Sequence, residues 1–271
     1  MRRPAVSGQF YAADREGLVT EIEACYAGTL GPGRLPGELG GRRSLTGLVV
    51  PHAGYMYSGP VAAHAYLALA EDGLPETFVI LGPNHTGYGS PLAVGTEDFD
   101  TPLGIARVDT GLAKDLVQGA LEEDMEAHRY EHSIEVQLPF LLHLREDVSF
   151  VPICMGAQDY RAAEAVGSLL SEVLKGKDVV IIASTDFSHY VPQEVAAQKD
   201  KLAIERIVKG DAPGLYETVR EHNVSMCGYG PVMATLAALG QVRGHLLKYG
   251  TSGDVQPMRD VVGYASITLS R

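Results

Sequence analysis

Three histidines come directly after apolar runs in this sequence. His52 follows GLVV, His85 follows TFVIL within LGPNH, and His189 follows VVIIA within STDFSHY. An imidazole nitrogen binds Zn, Fe, Cu or Ni, and near neutral pH it also carries protons. Any one of these residues alone would be an ordinary loop histidine, but three in the same position after an apolar run favour a shared pocket.

Cys227 is the best candidate for a further metal ligand, because two histidines alone rarely hold a metal ion. It lies in MCGYGP at the start of a predicted helix. A helix N-terminus lowers the pKa of a thiol, and the thiolate is the form that binds metals. Cys25, on the apolar face of a predicted helix, and Cys154, at a strand end, are predicted to be core residues.

The motif HRYEH contains two further histidines. It matches H-x-x-E-H, the inverted motif of zinc peptidases, in which His128 and His132 would share one helix face and Glu131 would act as general base. The preceding LEEDMEA lacks an apolar stripe, which favours a junction between helix and loop instead. His132 and Glu135, three apart in EHSIEVQLPF, would then both face the pocket.

Apolar strands alternate with amphipathic helices along the chain, and this pattern predicts the elements that position the candidates. Strands are predicted at 46–50, 77–81, 148–154 and 179–183. Continuous apolar strands indicate a sheet that is covered on both faces. We therefore predict an α/β fold, a single three-layer α/β/α domain over residues 1–271, with a mixed, mostly parallel central sheet. Ligands bind beyond the carboxyl ends of such strands, where all three histidines fall.

Local signals predict further elements. Ser58 as a helix N-cap predicts a helix over residues 58–69. Residues 92–96 and 105–109 are predicted to form a pair of short strands around the turn DFDTPLG, and residues 133–144 a helix.

The composition limits the partners. A net charge of −12 and a pI near 5.2 argue against nucleic acid or an anionic membrane as partner, because their phosphates require clustered Lys and Arg. Three cysteines do not form a disulfide framework, no apolar run is long enough for a transmembrane helix, and the first residues lack the apolar segment of a signal peptide. These features predict a cytoplasmic protein without a membrane partner.

Several short motifs together resemble the Memo family. They are SGQFY, PHAGYMYSG, LGPNH, EHSIEVQLPF, STDFSHY, MCGYGPVMATL and VVGYAS, and in this order they span nearly the whole chain. That family is similar in structure to class III non-haem iron extradiol dioxygenases of the LigB type. The resemblance implies a LigB-like α/β fold, metal ligands at His52, His85 and Cys227, and an acid–base role for His189. The compact chain resembles a prokaryotic member.

The remaining site residues are assigned from the same motifs. Catalysis is assigned to His189, Asp186 and His132, and Asp186 is expected either to orient an imidazole or to cap a turn. Substrate binding is assigned to four residues close to the candidate ligands in sequence or motif: Asn84, Tyr55, Glu135 and Phe10.

The resemblance also implies cofactors and partners. The extradiol dioxygenases bind iron with two histidines and a glutamate, and a softer cysteine in the third place leaves Fe(II) as the first expectation, with Cu or Zn as alternatives. Three functions are then open: a dioxygenase-like redox enzyme, a binding module for an anionic or aromatic group such as phosphotyrosine, and a Zn-dependent hydrolase. The expected ligand is a small molecule, an anion or a peptide. Prokaryotic relatives occur beside a radical-SAM protein and an AMMECR-type protein, so the resemblance implies these as partners.

Overall fold

Eleven strands form one mixed sheet in the computed structural model, which describes residues 1–41 and 43–271. In chain order the strands are β1 (Leu45–Val50), β2 (Thr77–Pro83), β3 (Leu92–Val94), β4 (Phe99–Thr101), β5 (Gly104–Val108), β6 (Glu122–Glu123), β7 (Ser149–Met155), β8 (Val179–Ser184), β9 (His189–Val191), β10 (Arg243–Thr251) and β11 (Val261–Ser270).

The centre of the sheet is parallel and its sides are largely antiparallel. The spatial order is β10-β11-β1-β8-β2-β7-β3-β6, while β4, β5 and β9 pair outside this path. Strands β1, β8, β2 and β7 run parallel to one another, and β11 and β3 join them in the antiparallel sense. The predicted parallel centre with antiparallel additions is confirmed.

Ten α-helices accompany the sheet within the described residues. They are α1 (Arg15–Ala27), α2 (Tyr55–Asp72), α3 (Thr110–Leu116), α4 (Glu126–Arg129), α5 (Leu138–Leu144), α6 (Tyr160–Val173), α7 (Gln193–Val208), α8 (Ala212–Glu221), α9 (Tyr229–Leu239) and α10 (Ser252–Val255). A short 3-10 turn, Glu135–Gln137, directly precedes α5.

Two groups of helices cover the two faces of the sheet. Helix α2 packs on β1, β10 and β11 and carries α1 and α5 on its outer side, whereas α9 packs on β1, β8 and β2 and carries α6 and α8. Strands covered in this way are apolar on both faces, and β2 is buried along its whole length. The three-layer α/β/α architecture predicted from the apolar runs is therefore confirmed.

Helix α2 begins earlier than predicted. Its first residue is Tyr55 and its N-cap is Gly54, so the prediction of a helix that starts at Ser58 is wrong. The Ser58 hydroxyl donates to the carbonyl of Ala53 and does not accept from the backbone as an N-cap would. The extra turn brings the start of α2 close to His52.

The predicted pairing of residues 92–96 with 105–109 is also wrong. Strand β3 pairs with β6 and β7, and β5 pairs with β4, which lies inside the segment predicted to be only a turn. Gly104 has a φ of +136°, which allows the chain to reverse directly between β4 and β5.

Only the second half of the helix predicted at 133–144 is α-helical. Helix α5 begins at Leu138, with a proline in its first turn, where the missing N–H costs nothing. Before it, the Ser133 hydroxyl donates to the carbonyl of Pro83 at the end of β2. This contact holds the preceding turn against the carboxyl edge of the sheet.

Among the described helices, none has the combination of length and apolar character that is needed to cross a membrane.

Candidate metal centre

Three imidazoles meet at the carboxyl edge of the parallel strands. His52 follows β1, His85 follows β2, and His132 lies in the turn between α4 and the 3-10 turn. Each ring offers one nitrogen that lies within 4.8 Å of those of the other two. The ring centroids are 5.2 Å apart for His52 and His85, 5.4 Å for His52 and His132, and 4.7 Å for His85 and His132. This spacing suits one metal ion with three nitrogen ligands.

The Glu131 carboxylate orients two of the three rings. One oxygen lies 2.9 Å from His85 Nδ1 and 3.3 Å from His132 Nδ1. The backbone N–H groups of His85, His132 and Ser133 donate to the same carboxylate. Because an ionised carboxylate only accepts, His85 Nδ1 carries the proton of this hydrogen bond and His85 Nε2 is left for a metal, whereas the His132 ring makes a charge contact with the carboxylate. Metal-binding histidines are commonly held by a carboxylate in this way.

The third ring, His52, is oriented by a serine. His52 Nδ1 lies 2.9 Å from Ser184 Oγ, which donates its own proton to the carbonyl of Ser133 at 2.6 Å. The Gln137 amide also donates to Ser184 Oγ, at 2.8 Å. Since the only hydroxyl proton is already used, His52 Nδ1 must be the donor in its contact with the serine. Its Nε2 therefore also carries a free lone pair.

The protein keeps two of the imidazoles neutral and favours the charged form of the third. Burial, together with the neighbouring histidines, holds the pKa of His52 well below its usual value, and burial also lowers the pKa of His132. Burial opposes the charge on His85, but its hydrogen bond to Glu131 and the charge of that group outweigh burial and raise the pKa of His85. The pKa of Glu131 is lowered to about 2, because these same partners outweigh its burial. A metal ion thus competes with a proton mainly at His85.

The thiol of Cys227 lies beside His52 Nε2, the ring nitrogen that is available to a metal. Its Sγ is 3.2 Å from His52 Nε2 and accepts from the backbone N–H of Asp186, also at 3.2 Å. The group of donor atoms that all lie within 4.8 Å of one another contains His132 and not Cys227. Burial and the Asp186 carboxylate raise the pKa of Cys227, so the expected lowering by the helix N-terminus is wrong for the metal-free protein. Sγ also lies 3.6 Å from the carbonyl of Asp186, so the thiol proton has two acceptors within reach, that carbonyl and His52 Nε2.

His189 lies at the start of β9 with one nitrogen fixed. Its Nδ1 is 2.8 Å from each of two carbonyl oxygens, those of Phe187 and Ser225. Both partners only accept, so Nδ1 carries a proton and Nε2 is the basic nitrogen of a neutral ring. This is the tautomer that a general base requires, and the acid–base role of His189 stays a prediction.

Asp186 is bound to the backbone of the loop that carries His52. Its Oδ1 accepts from the backbone N–H of His52 at 2.8 Å. Of the two roles left open by the sequence, the structure therefore shows the capping contact, while His189 Nδ1 takes its partners from carbonyls.

Among the residues assigned to substrate binding, Phe10 touches the imidazole group. Its ring meets that of His132 edge-on, with centroids 4.9 Å apart. Asn84 instead folds its own loop, because its Oδ1 accepts from two donors of Thr86 and from the backbone of Gly87. This turn sets the direction of the neighbouring His85.

The other two assigned residues make internal contacts. Tyr55 is buried, and its hydroxyl donates to the carbonyl of Val136 at 2.6 Å. Glu135 is fully buried, and its carboxylate accepts from four donors of the N-terminal segment, in Arg2, Ala5, Val6 and Tyr11.

The zinc-peptidase interpretation of HRYEH is wrong. Helix α4 ends at Arg129, so His128 and His132 do not share a helix. His128 is buried, with Nε2 3.2 Å from the carbonyl of Ala93. Glu131 is hydrogen-bonded to the imidazole of His85, lies beside that of His132, and is not placed as a general base. The alternative prediction, a junction between helix and loop, matches the structure.

Sequence reasoning missed the residues that orient the ligands. The roles of Glu131, Ser184 and Gln137 as hydrogen-bond partners were not predicted, and His132 was assigned to catalysis and not to the metal. One of these roles had a signal in the sequence. Glu131 directly precedes His132, so its carboxylate could have been expected close to that imidazole.

Fold and site together define an α/β protein with a candidate mononuclear metal centre at the carboxyl edge of its sheet. The family model described as Memo-like protein matches residues 2–268. A MEMO1 family protein from Methanopyrus kandleri is 51% identical over 280 residues, covering 100% of this chain and 99% of the relative. Another from Methanothermobacter thermautotrophicus is 46% identical over 277 residues, covering 99% of this chain and 100% of the relative. The chain therefore belongs to the Memo-like family, as the motifs indicated.

A solved structure supports the fold alone. An uncharacterized protein from Escherichia coli K12 superposes with a TM-score of 0.54 at 15% sequence identity, covering 83% of this chain and 99% of that one. At this level of identity the likeness extends to the α/β architecture and not to the site.

Proposed function

We propose that this protein is a mononuclear metal protein in which His52, His85 and His132 hold a redox-active transition metal, Fe(II) first and Cu as the alternative. The observation that carries the proposal is the convergence of three imidazoles, of which His52 and His85 are hydrogen-bonded through Nδ1 to protein oxygens and His132 has its Nδ1 3.3 Å from Glu131. Such a set fits a metal ion, because neutral imidazole nitrogens are preferred ligands of Fe, Cu, Ni and Zn. A bound iron or copper ion would supply one-electron chemistry that side chains lack.

The surrounding residues support redox chemistry at this centre. The Cys227 sulfur, 3.2 Å from His52 Nε2, adds a soft donor beside the three nitrogens. His189 presents Nε2 as a base that accepts a proton from a bound substrate. Phe10 forms an apolar wall against His132. The exposed side of the pocket is at His85, since His52 is buried and His132 half-buried, and substrate enters there.

A zinc-dependent hydrolase is the second candidate. Three histidine ligands are also a donor set of catalytic zinc, which activates a water molecule as nucleophile. The two candidates differ in the metal that supports turnover and in the need for O₂.

The test is the metal content of protein purified anaerobically without a metal-binding tag. We expect near-stoichiometric Fe or Cu in the wild type and little in His132→Ala. The matched control is His222→Ala, which removes an exposed histidine and should retain the metal. Cys227→Ala reports whether the sulfur contributes to affinity.

Three results would change the conclusion. Zinc-supported hydrolysis that is indifferent to O₂ would favour the hydrolase. A wild-type site that refuses Fe(II), Cu and Zn would overturn the metal centre and leave a binding module for anionic or aromatic groups. Equal metal content in wild type and His132→Ala would overturn the three-histidine assignment.

A further inference from the structure

Arg2 is a buried cation next to the metal centre. Its side chain is 3% exposed, and Nη1 lies 2.7 Å from the Glu135 carboxylate, which is fully buried. The guanidinium carbon lies 4.5 Å from the centre of the Phe99 ring. Burying such a pair costs several kcal/mol for each ion unless further hydrogen bonds satisfy it. The further hydrogen bonds of Arg2 therefore show which part of the structure this buried cation holds in place.

The remaining donors of Arg2 bind the backbone of the HRYEH turn. Nε donates to the carbonyl of His128 at 2.7 Å, and Nη2 donates to the carbonyl of Glu131 at 2.5 Å. A planar guanidinium donates in fixed directions, so it sets the distance between these two carbonyls. Glu131 is the residue whose carboxylate accepts from His85 Nδ1 and lies 3.3 Å from His132 Nδ1. A fixed backbone at Glu131 therefore fixes the point from which its carboxylate extends toward the imidazoles.

The backbone of Arg2 is itself tied to the sheet. Its N–H donates to the carbonyl of Asp98 at 2.8 Å, and its carbonyl accepts from Asp100 at 2.9 Å. The side chain thus connects the strand β4 region with the turn that carries His132. The planar guanidinium bridges these two parts of the structure.

The far end of the same N-terminal segment reaches the other side of the pocket. Phe10 packs its ring against His132, and its carbonyl accepts from the backbone of Tyr55 at 2.7 Å. Tyr55 begins α2, three residues after His52. Between these two ends, Glu135 holds the segment through Ala5, Val6 and Tyr11. The segment 2–11 therefore contacts the loops of His52 and His132 directly and that of His85 through Glu131.

We infer that Arg2 is a positioning residue of the metal centre, and that segment 2–11 sets the affinity of the three imidazoles for a metal ion. The inference rests on the proposed metal function. Arg2 touches neither metal nor substrate, and it acts through the backbone and carboxylate of Glu131. Removing a group that hydrogen-bonds directly to a metal-binding histidine usually costs about 10- to 100-fold in affinity, and Arg2 lies one contact further out, so the lower end of that range is expected.

The experiment compares Co(II) affinity and the Co(II) absorption spectrum in wild type, Arg2→Met and Arg2→Lys. Methionine keeps much of the apolar stem and loses all three polar contacts. Lysine keeps the charge beside Glu135 but cannot donate to both carbonyls in the fixed directions of the guanidinium. The matched control is Arg3→Met, which removes the same charge from an exposed neighbouring side chain. Titrations are made at a temperature where urea unfolding shows each variant to be folded.

We expect Arg2→Met to bind Co(II) about 10-fold more weakly with shifted absorption bands, Arg2→Lys to lie between, and Arg3→Met to match the wild type. Arg2→Lys also keeps the test open if Arg2→Met does not fold. If both Arg2 variants bind Co(II) like the wild type with the same spectrum, the inference is overturned while the metal centre stands. If the wild type binds no Co(II), the proposed function fails, and the inference with it.

Discussion

Glu131 is shared between two candidate ligands. One carboxylate accepts from Nδ1 of His85 and lies 3.3 Å from Nδ1 of His132, while backbone N–H groups hold it in place. Neutral imidazole is the form that binds a metal, so the state of this carboxylate affects two ligands at once.

We expect Glu131→Gln to lower metal affinity about 10- to 100-fold, because an uncharged amide orients the imidazoles less strongly. In the metal-free protein the same change should lower the pKa of His85, since the charge of Glu131 raises it. The pH below which metal affinity begins to fall should then be lower than in the wild type, because that fall follows protonation of His85, although the affinity itself is weaker at every pH.

Histidine NMR titrations and metal titrations at several pH values check this. The control is Glu126→Gln, an exposed carboxylate of α4 that pairs with Arg129. An unchanged His85 pKa in Glu131→Gln would contradict the assignment.

The ligand residues were more predictable than their partners. His52 and His85 stand out because each directly follows an apolar strand, and chain direction alone brings such residues to one edge of the sheet. Ser184 and Gln137 carry no comparable signal, since their roles depend on how the turn before α5 folds against β2. The spacing of Glu135 from His132 predicted that Glu135 faces the pocket. Its carboxylate oxygens instead accept hydrogen bonds from the N-terminal segment, a long-range contact that no local pattern indicates.

Helix α9, which follows Cys227 in the chain, packs closely on helix α6. It begins at Tyr229, and the close contact with α6 is at Gly167. A β-carbon added at Gly167 would meet the side chain of Ala237 at 2.5 Å and the carbonyl of Ala234 at 2.8 Å. These distances are too short, so the two helices touch through backbone atoms.

We expect Gly167→Val to lower the free energy of unfolding by about 1–3 kcal/mol, because overpacking forces the helices apart. Urea unfolding measures the stability. The control Ser168→Val introduces the same side chain on the exposed side of α6 and should change stability by much less. Equal effects of the two variants would argue against the close α6–α9 contact.

At the scale of helices and strands, the apolar runs predicted the positions of the long strands reliably. Strands β2, β7 and β8 are continuous, buried and within a few residues of their predicted limits. Short elements were not predictable in the same way. Strand β4 has three residues, and its partner is chosen by the reversal at Gly104 and by contact with Arg2, neither of which a periodic pattern contains.

The whole molecule should be more stable with metal than without. A ligand that binds only the folded state stabilises it by RT ln(1 + [L]/Kd), or about 2.7 kcal/mol at a concentration of 100 Kd. The site exists only in the folded chain, because its three ligands come from segments that are far apart in sequence. We expect added Co(II) or Zn to raise the unfolding midpoint of the metal-free wild type.

This is checked by measuring the midpoint of thermal unfolding without metal, with metal, and again after a chelator has removed the metal. His132→Ala should show a much smaller rise, while His222→Ala should behave as the wild type. An equal rise in His132→Ala would assign the stabilisation to other metal-binding groups.

The strand order has a consequence for the timing of assembly during synthesis. Strands β1 and β2, which present His52 and His85, are not neighbours, because β8 lies between them. A nascent chain that has passed residue 135 contains all three histidines but still lacks the strand that sets their separation. Cys227 emerges later still. If the proposed metal centre is correct, metal capture waits until most of the polypeptide has been made, and a loaded centre would mark a chain whose sheet has closed.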